Sequence, residues 1–216
     1  MSVSLELFEQ MEFKENPFYE RIISELQKDH YSIVEDFFNL EEVAILRKTL
    51  LDKYEDDAFK RAAVGNRTNE NVERSVRGDF ILWINEADKG EVETIFFNKV
   101  NSLIEYLNKT CFLGILQKEF HYALYPQGTF YKRHLDTFHN DDRRKLSLVC
   151  YLNNEDWKPE NGGELVLYSD KNGIEIAKNI YPLTGRMVIF ESQLLEHEVK
   201  TVSTPRLSIT GWLKTR

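Results

Sequence analysis

Three side chains in this sequence have the types and spacing to hold a metal. His134 and Asp136 are separated by one residue, within Tyr131-Lys132-Arg133-His134-Leu135-Asp136. Side chains alternate along an extended segment, so this imidazole and this carboxylate point the same way. A second imidazole, His197, lies far downstream in Leu195-Glu196-His197-Glu198. Two histidines and one carboxylate on one face of a metal leave the other face open, which suits a non-haem Fe(II) centre. Nine residues further on, Arg206 opens the largely apolar run Leu207-Ser208-Ile209-Thr210-Gly211-Trp212. An inward-facing arginine needs an anion, and its planar fork matches a carboxylate through two parallel hydrogen bonds. An open metal beside a carboxylate clamp describes chemistry on a small keto-acid. His-X-Asp alone is common, and a lone histidine is usually only hydrogen-bonded. The order of all four groups carries the reading.

Two kinds of element must position these groups. The first half reads as helical. Asn16-Pro17 caps a helix whose stripe is Phe18, Ile22 and Leu26. Tyr31 to Val34 then reads as a short strand. Asn39-Leu40-Glu41-Glu42 resembles a capping box, ahead of a second stripe of Val43, Leu46, Leu50 and Tyr54. A third helix opens between Asp88 and Glu91, with Phe96, Val100, Leu103, Ile104 and Leu107 on one side. Such stripes pack on a sheet and carry no chemistry. Between the second and third helices, Arg61 to Arg77 is a long polar segment, by composition either an active-site lid or a disordered surface excursion, followed by a strand from Phe80 to Ile84.

From Phe120 onward the texture changes to short strands with turn punctuation, about eight counting one around Tyr131 to Asp136. Helices first and strands afterwards, without βαβ alternation, give an α+β chain with helices packed against a β-barrel. The expected organisation is a single domain, 1–216, with mainly helical support over 1–110 (lid loop 61–77) and a catalytic core over 111–216.

Composition narrows the function. The chain has 28 basic and 36 acidic residues, a net charge of −8, which argues against nucleic acid as the main partner. Only Cys111 and Cys150 occur, so no disulfide framework is expected and a reducing cytoplasm fits best. Residues 1–10 alternate apolar and acidic side chains without a basic n-region, unlike a signal peptide. No apolar run approaches the ~20 residues of a membrane span.

Further motifs accompany the four chemical groups: Val64-Gly65, Arg77-Gly78-Asp79 followed by Trp83, Tyr125-Pro126, Gly128-Thr129-Phe130-Tyr131, Tyr151-Leu152-Asn153 with Trp157, and Gly162-Gly163-Glu164-Leu165. With these, the chain resembles the 2-oxoglutarate- and Fe(II)-dependent dioxygenases, specifically the prolyl 4-hydroxylase branch that includes the hypoxia-sensing prolyl hydroxylases and their bacterial relatives. The resemblance runs from about Ala62 to Trp212 and is specific to a branch. It implies a double-stranded β-helix, or jelly roll, supported by N-terminal helices.

The resemblance also implies roles. His134, Asp136 and His197 would bind Fe(II). Arg206 would pair with the distal carboxylate of 2-oxoglutarate, with Tyr151 and Thr210 hydrogen-bonding the same end. Tyr125, Tyr131 and Trp212 would line the cosubstrate pocket. Arg77, Asp79 and Arg144 would serve the substrate. With O2 as second cosubstrate, the reaction would hydroxylate a prolyl residue in a protein or peptide while 2-oxoglutarate becomes succinate and CO2; ascorbate is the further cofactor suggested. Two other readings are a small-molecule or free amino-acid substrate and a metal-binding or ligand-binding barrel without catalysis. Glu196 and Glu198 should point away from His197, Cys150 away from Tyr151, and His139 into solvent; His30 and His121 show no pattern.

Overall fold

A computed structural model describes residues 14–62, 73, 75–137 and 142–215 of the 216. Most of the expected lid, with Val64-Gly65, and His139 lie outside the described residues. Helix α1 (Pro17–Asp29) starts where the Asn16 side chain accepts from the Phe18 N–H at 3.0 Å. Pro17 occupies a first-turn position, where its missing N–H leaves no bond unmade. Strand β1 (Tyr31–Val34) follows. Helix α2 (Leu40–Glu55) begins with the expected capping box: Asn39 accepts from the Glu42 N–H at 2.9 Å and Glu42 accepts from the Asn39 N–H at 2.8 Å. Helix α3 (Glu91–Cys111) starts at Gly90, after a separate 3-10 turn over Glu86–Asp88. The predicted stripes are its buried face and those of its neighbours, with Phe18, Tyr54 and Ile104 at the margins.

Among the described residues the strands number eleven. After β1 come β2 (Lys60–Arg61) and β3 (Phe80–Ile84), then β4 (Gln117–Tyr125), β5 (Tyr131–His134), β6 (Arg144–Tyr151), β7 (Leu165–Lys171), β8 (Ile174–Ile180), β9 (Met187–Glu191), β10 (Glu196–Val199) and β11 (Arg206–Lys214). The eight from β4 onward are the run of short strands legible in the sequence. Only the two-residue β2 had no signal there, because so short a pair carries no period. A seven-stranded sheet runs β1-β9-β6-β11-β4-β3-β2, a four-stranded sheet runs β5-β10-β7-β8, and the pairings are antiparallel. Helices on one side and two antiparallel sheets make the α+β chain that the pattern predicts, in the jelly-roll form that the resemblance implies.

Alternation divides the large sheet into two faces. Phe120, Tyr122, Leu124, Leu148, Cys150 and Ile209 pack under the helices. Ala123, Tyr125, Val149 and Tyr151 instead meet Leu165, Leu167 and Val199 of the small sheet. Cys150 therefore faces away from Tyr151. Among the described residues, no helix is long and apolar enough to cross a membrane.

Candidate active site

Strand pairing brings the distant imidazoles together. His197 on β10 is the register partner of His134 at the end of β5. Asp136 lies two residues past β5, where the chain bends, and is 8 % exposed. The ligand atoms of His134, Asp136 and His197 all lie within 4.8 Å of one another. His134 Nε2 is 3.6 Å from Asp136 Oδ1, and His197 Nε2 is 3.5 Å from Asp136 Oδ2.

Hydrogen bonds set the form of each group. His134 Nδ1 sits 2.7 Å from the Lys132 carbonyl and His197 Nδ1 3.2 Å from the Leu195 carbonyl. A carbonyl only accepts, so each Nδ1 carries the proton and each Nε2 keeps its lone pair for a metal. Burial, with His134 next, pushes His197 down to about 4, so it is neutral near pH 7. Burial alone would raise the Asp136 carboxyl, but His197, His134 and the Ser147 hydroxyl together hold it below the usual range. Ser147 Oγ donates to Asp136 Oδ2 at 2.6 Å and lies 2.8 Å from Ser192 Oγ, with both serines fully buried. One imidazole nitrogen from each histidine and one carboxylate oxygen fit a divalent metal.

A cavity of about 880 Å³ opens at this triad. Arg206, Tyr125, Tyr131, Thr210 and Trp212 line it. Tyr151 is fully buried behind Arg206, whose guanidinium carbon lies 4.9 Å from the Tyr151 ring and 5.0 Å from the Tyr125 ring. Arg206 is 2 % exposed, and no carboxylate of the described residues pairs with it. Among the described residues its Nε and the Tyr151 hydroxyl have no hydrogen-bond partner. An unpaired buried cation costs several kcal/mol. A carboxylate entering the cavity would relieve it, and this fits the end of a dicarboxylic keto-acid. Gly163, at φ +69, makes this possible: a Cβ there would lie 3.1 Å from Arg206 Cδ and 2.7 Å from Val202 Cγ1. Thr210 Oγ1 is 3.2 Å from Ser208 Oγ.

The three residues expected to serve substrate are placed unequally. Arg77 and Arg144 line the cavity. Asp79 is 2 % exposed and forms a two-bond pair with Arg77, at 2.8 and 2.6 Å. Arg77 in turn lies 4.2 Å over the Tyr131 ring, which stacks on His134 at 3.7 Å. The pair thus braces a ring that packs on the triad. Arg144 covers the Trp212 ring at 3.5 Å and donates to the Asp136 carbonyl at 3.0 Å. Glu196 pairs with Arg133, and Glu198 with Tyr168 and Lys200, away from the cavity. His30 pairs with Glu191.

Sequence reasoning missed Ser147, Ser192 and His121. The first and last were reachable by alternation, since Ser147 shares the face of Val149 and Tyr151 on β6, and His121 shares that of Ala123 and Tyr125 on β4.

Against known proteins, the family model of the 2OG-Fe(II) oxygenase superfamily matches residues 120–214. A prolyl-4-hydroxylase from Pseudomonas putida is 32 % identical, with a TM-score of 0.80 over 92 % of this chain and 99 % of that one. The chain belongs to the 2OG-Fe(II) oxygenase superfamily. A prolyl hydroxylase from Trichoplax adhaerens, in complex with a peptide fragment of the hypoxia inducible factor oxygen degradation domain, is 29 % identical, with a TM-score of 0.80 over 91 % of this oxygenase and 89 % of that chain. The non-heme alpha ketoglutarate dependent epimerase SnoN, at 14 % identity and a TM-score of 0.63 over 91 % and 80 % of the two chains, shares the fold alone. As a member of this superfamily the protein is an enzyme that uses Fe(II), 2-oxoglutarate and O2.

Proposed function

We propose that this oxygenase hydroxylates a prolyl residue within a protein or peptide. The likeness to two prolyl hydroxylases, one of them holding a peptide, supports the substrate class. The observation that carries the chemistry is the placement of a buried, unpaired Arg206 in the same cavity as the triad.

His134, Asp136 and His197 would hold the iron through Nε2, a carboxylate oxygen and Nε2. Ser147 occupies Asp136 Oδ2, which leaves Oδ1 as the better donor. Arg206 and Tyr151 would bind the distal carboxylate of 2-oxoglutarate, Thr210 would add its hydroxyl, and Tyr125 would flank the guanidinium. With iron and cosubstrate bound, the site supplies an O2-derived oxidant for an unactivated C–H bond, which no side-chain acid or base provides. The protein's own work is positioning and exclusion of water. Tyr131, braced by Arg77 and Asp79, fixes the His134 ring. Arg77 and Arg144 would meet the substrate at the rim, while Asp79 acts through Arg77.

The test is incubation of the purified enzyme with Fe(II), 2-oxoglutarate and host lysate, followed by mass spectrometry. Gain of one oxygen on proline in a protein is the expected outcome. Oxidation confined to free amino acids or other small molecules would overturn the reading.

A further inference from the structure

Four of the buried polar atoms without a hydrogen-bond partner gather around the cavity: Arg206 Nε, Tyr151 Oη, His121 Nδ1 and Trp212 Nε1. The first two are answered by the cosubstrate carboxylate in the reading above. The second two are not. A buried polar group left unpaired costs about 1–3 kcal/mol, and its persistence calls for a partner the protein does not itself supply.

His121 and Trp212 sit diagonally across β4 and β11, where His121 faces Thr210 and Trp212 faces Glu119. Their ring centroids are 5.5 Å apart. Trp83 completes the group, 5.0 Å from His121 and 6.2 Å from Trp212. All three line the cavity, with Trp83 half exposed, His121 only 3 % exposed, and Arg144 covering Trp212. The wall is therefore aromatic, with two polar atoms set into it. An indole Nε1 only donates. Burial pushes His121 down to about 3, with the Arg77 charge next, so its imidazole is neutral and has one donating and one accepting nitrogen. The matching ligand presents an acceptor and a donor side by side, as the C=O and N–H of one residue in an extended chain do.

We propose that Trp83, His121 and Trp212 form a subsite for the main-chain amide groups of one residue in an extended polypeptide substrate. That residue's carbonyl accepts from Trp212 Nε1–H, its N–H donates to His121, and the two indoles hold the flanking chain. This rests on the prolyl-peptide reading and assigns it a recognition element beyond the metal and cosubstrate residues.

The probe is a mixture of short synthetic peptides with proline at the centre and every other position randomised, given to the enzyme with Fe(II) and 2-oxoglutarate. His121→Phe keeps a ring between the tryptophans but loses both nitrogens. It should raise the apparent peptide KM about tenfold, the worth of one lost hydrogen bond, with kcat changing less than the KM. Trp212→Phe should raise the same KM, and His121→Gln, which keeps a donor and an acceptor, should recover part of the loss. Wild-type hydroxylation with an unchanged peptide KM in both Phe variants would overturn the subsite and leave the prolyl reading standing. A KM rise that disappears in high salt would show that a charged side chain, not an amide, is read there, and would also overturn it. A wild-type enzyme that turns over 2-oxoglutarate but leaves every peptide unmodified would overturn the prolyl reading, and the amide assignment with it.

Discussion

On the helix side of the seven-stranded sheet, Phe120, Leu148 and Ile209 are fully buried among other apolar side chains. The polar side chains of β4 on that side are accounted for: the Tyr122 hydroxyl donates to Glu93, which also meets Lys53, and Lys118 pairs with Glu86. On the cavity side, the same three strands present His121, Tyr151, Arg206 and Trp212, each with a buried atom left unpartnered. On the described residues of these three strands, the helix face leaves no buried side-chain polar atom unpartnered and the cavity face leaves four. Stability is selected on the first face and surrendered on the second, where rules for folding are broken in favour of chemistry.

That contrast breaks in different ways under substitution. Arg206→Met removes a buried charge that pairs with no carboxylate of the described residues. The cosubstrate affinity should fall by about 10²–10⁴-fold, matching the ~3–5 kcal/mol of a broken buried pair. The melting temperature without ligand should hold or rise, and calorimetry beside a thermal scan checks both. Arg206→Lys keeps the charge without the fork and should lie between. Leu148→Ala, on the other face, should do the opposite. It should cost about 2–5 kcal/mol of unfolding free energy, read by denaturant titration, while the folded protein binds 2-oxoglutarate with unchanged affinity.

Ser147→Ala sharpens the comparison, because Ser147 stabilises a cavity-side carboxylate from inside the protein. Loss of such a partner typically weakens metal binding about 10–100-fold, so titration with Mn(II) should show that loss without a matching drop in thermal stability. The smallest effect is a proton linkage. His121 is lowered from 6.5 to about 3 by burial, so the unfolded chain binds its proton first. This part of the stability is complete above pH 6.5 and is lost as the pH falls toward 3. His121→Phe should flatten that segment of the stability profile measured without metal.

The sequence showed the groups of the cavity face better than the way they meet. Alternation put His134 and Asp136 on one side, and the period of the helical stripes marked the other face of the sheet. It could not show that His197 pairs in register with His134, because register depends on two strands remote in sequence. Arg77-Gly78-Asp79 was visible as a motif, yet the closure of the aspartate on the arginine, and of the arginine on Tyr131, is a matter of tertiary packing. Ser147 and His121 stood at legible positions, but a serine or histidine in a strand has many ordinary uses, and only the surrounding cavity separates these two from the rest.

On the proposed reading, the cavity between the two sheets holds iron through His134, Asp136 and His197 on the side of the four-stranded sheet and an anion through Arg206 of the seven-stranded one. The most direct measurement is an anaerobic titration of Fe(II) and 2-oxoglutarate, followed by the visible charge-transfer absorption of Fe(II) chelated by a 2-oxo acid. The wild-type protein should develop the band saturably, Arg206→Met only at far higher 2-oxoglutarate, and His134→Ala not at all. A band of undiminished strength and affinity in His134→Ala would contradict the account.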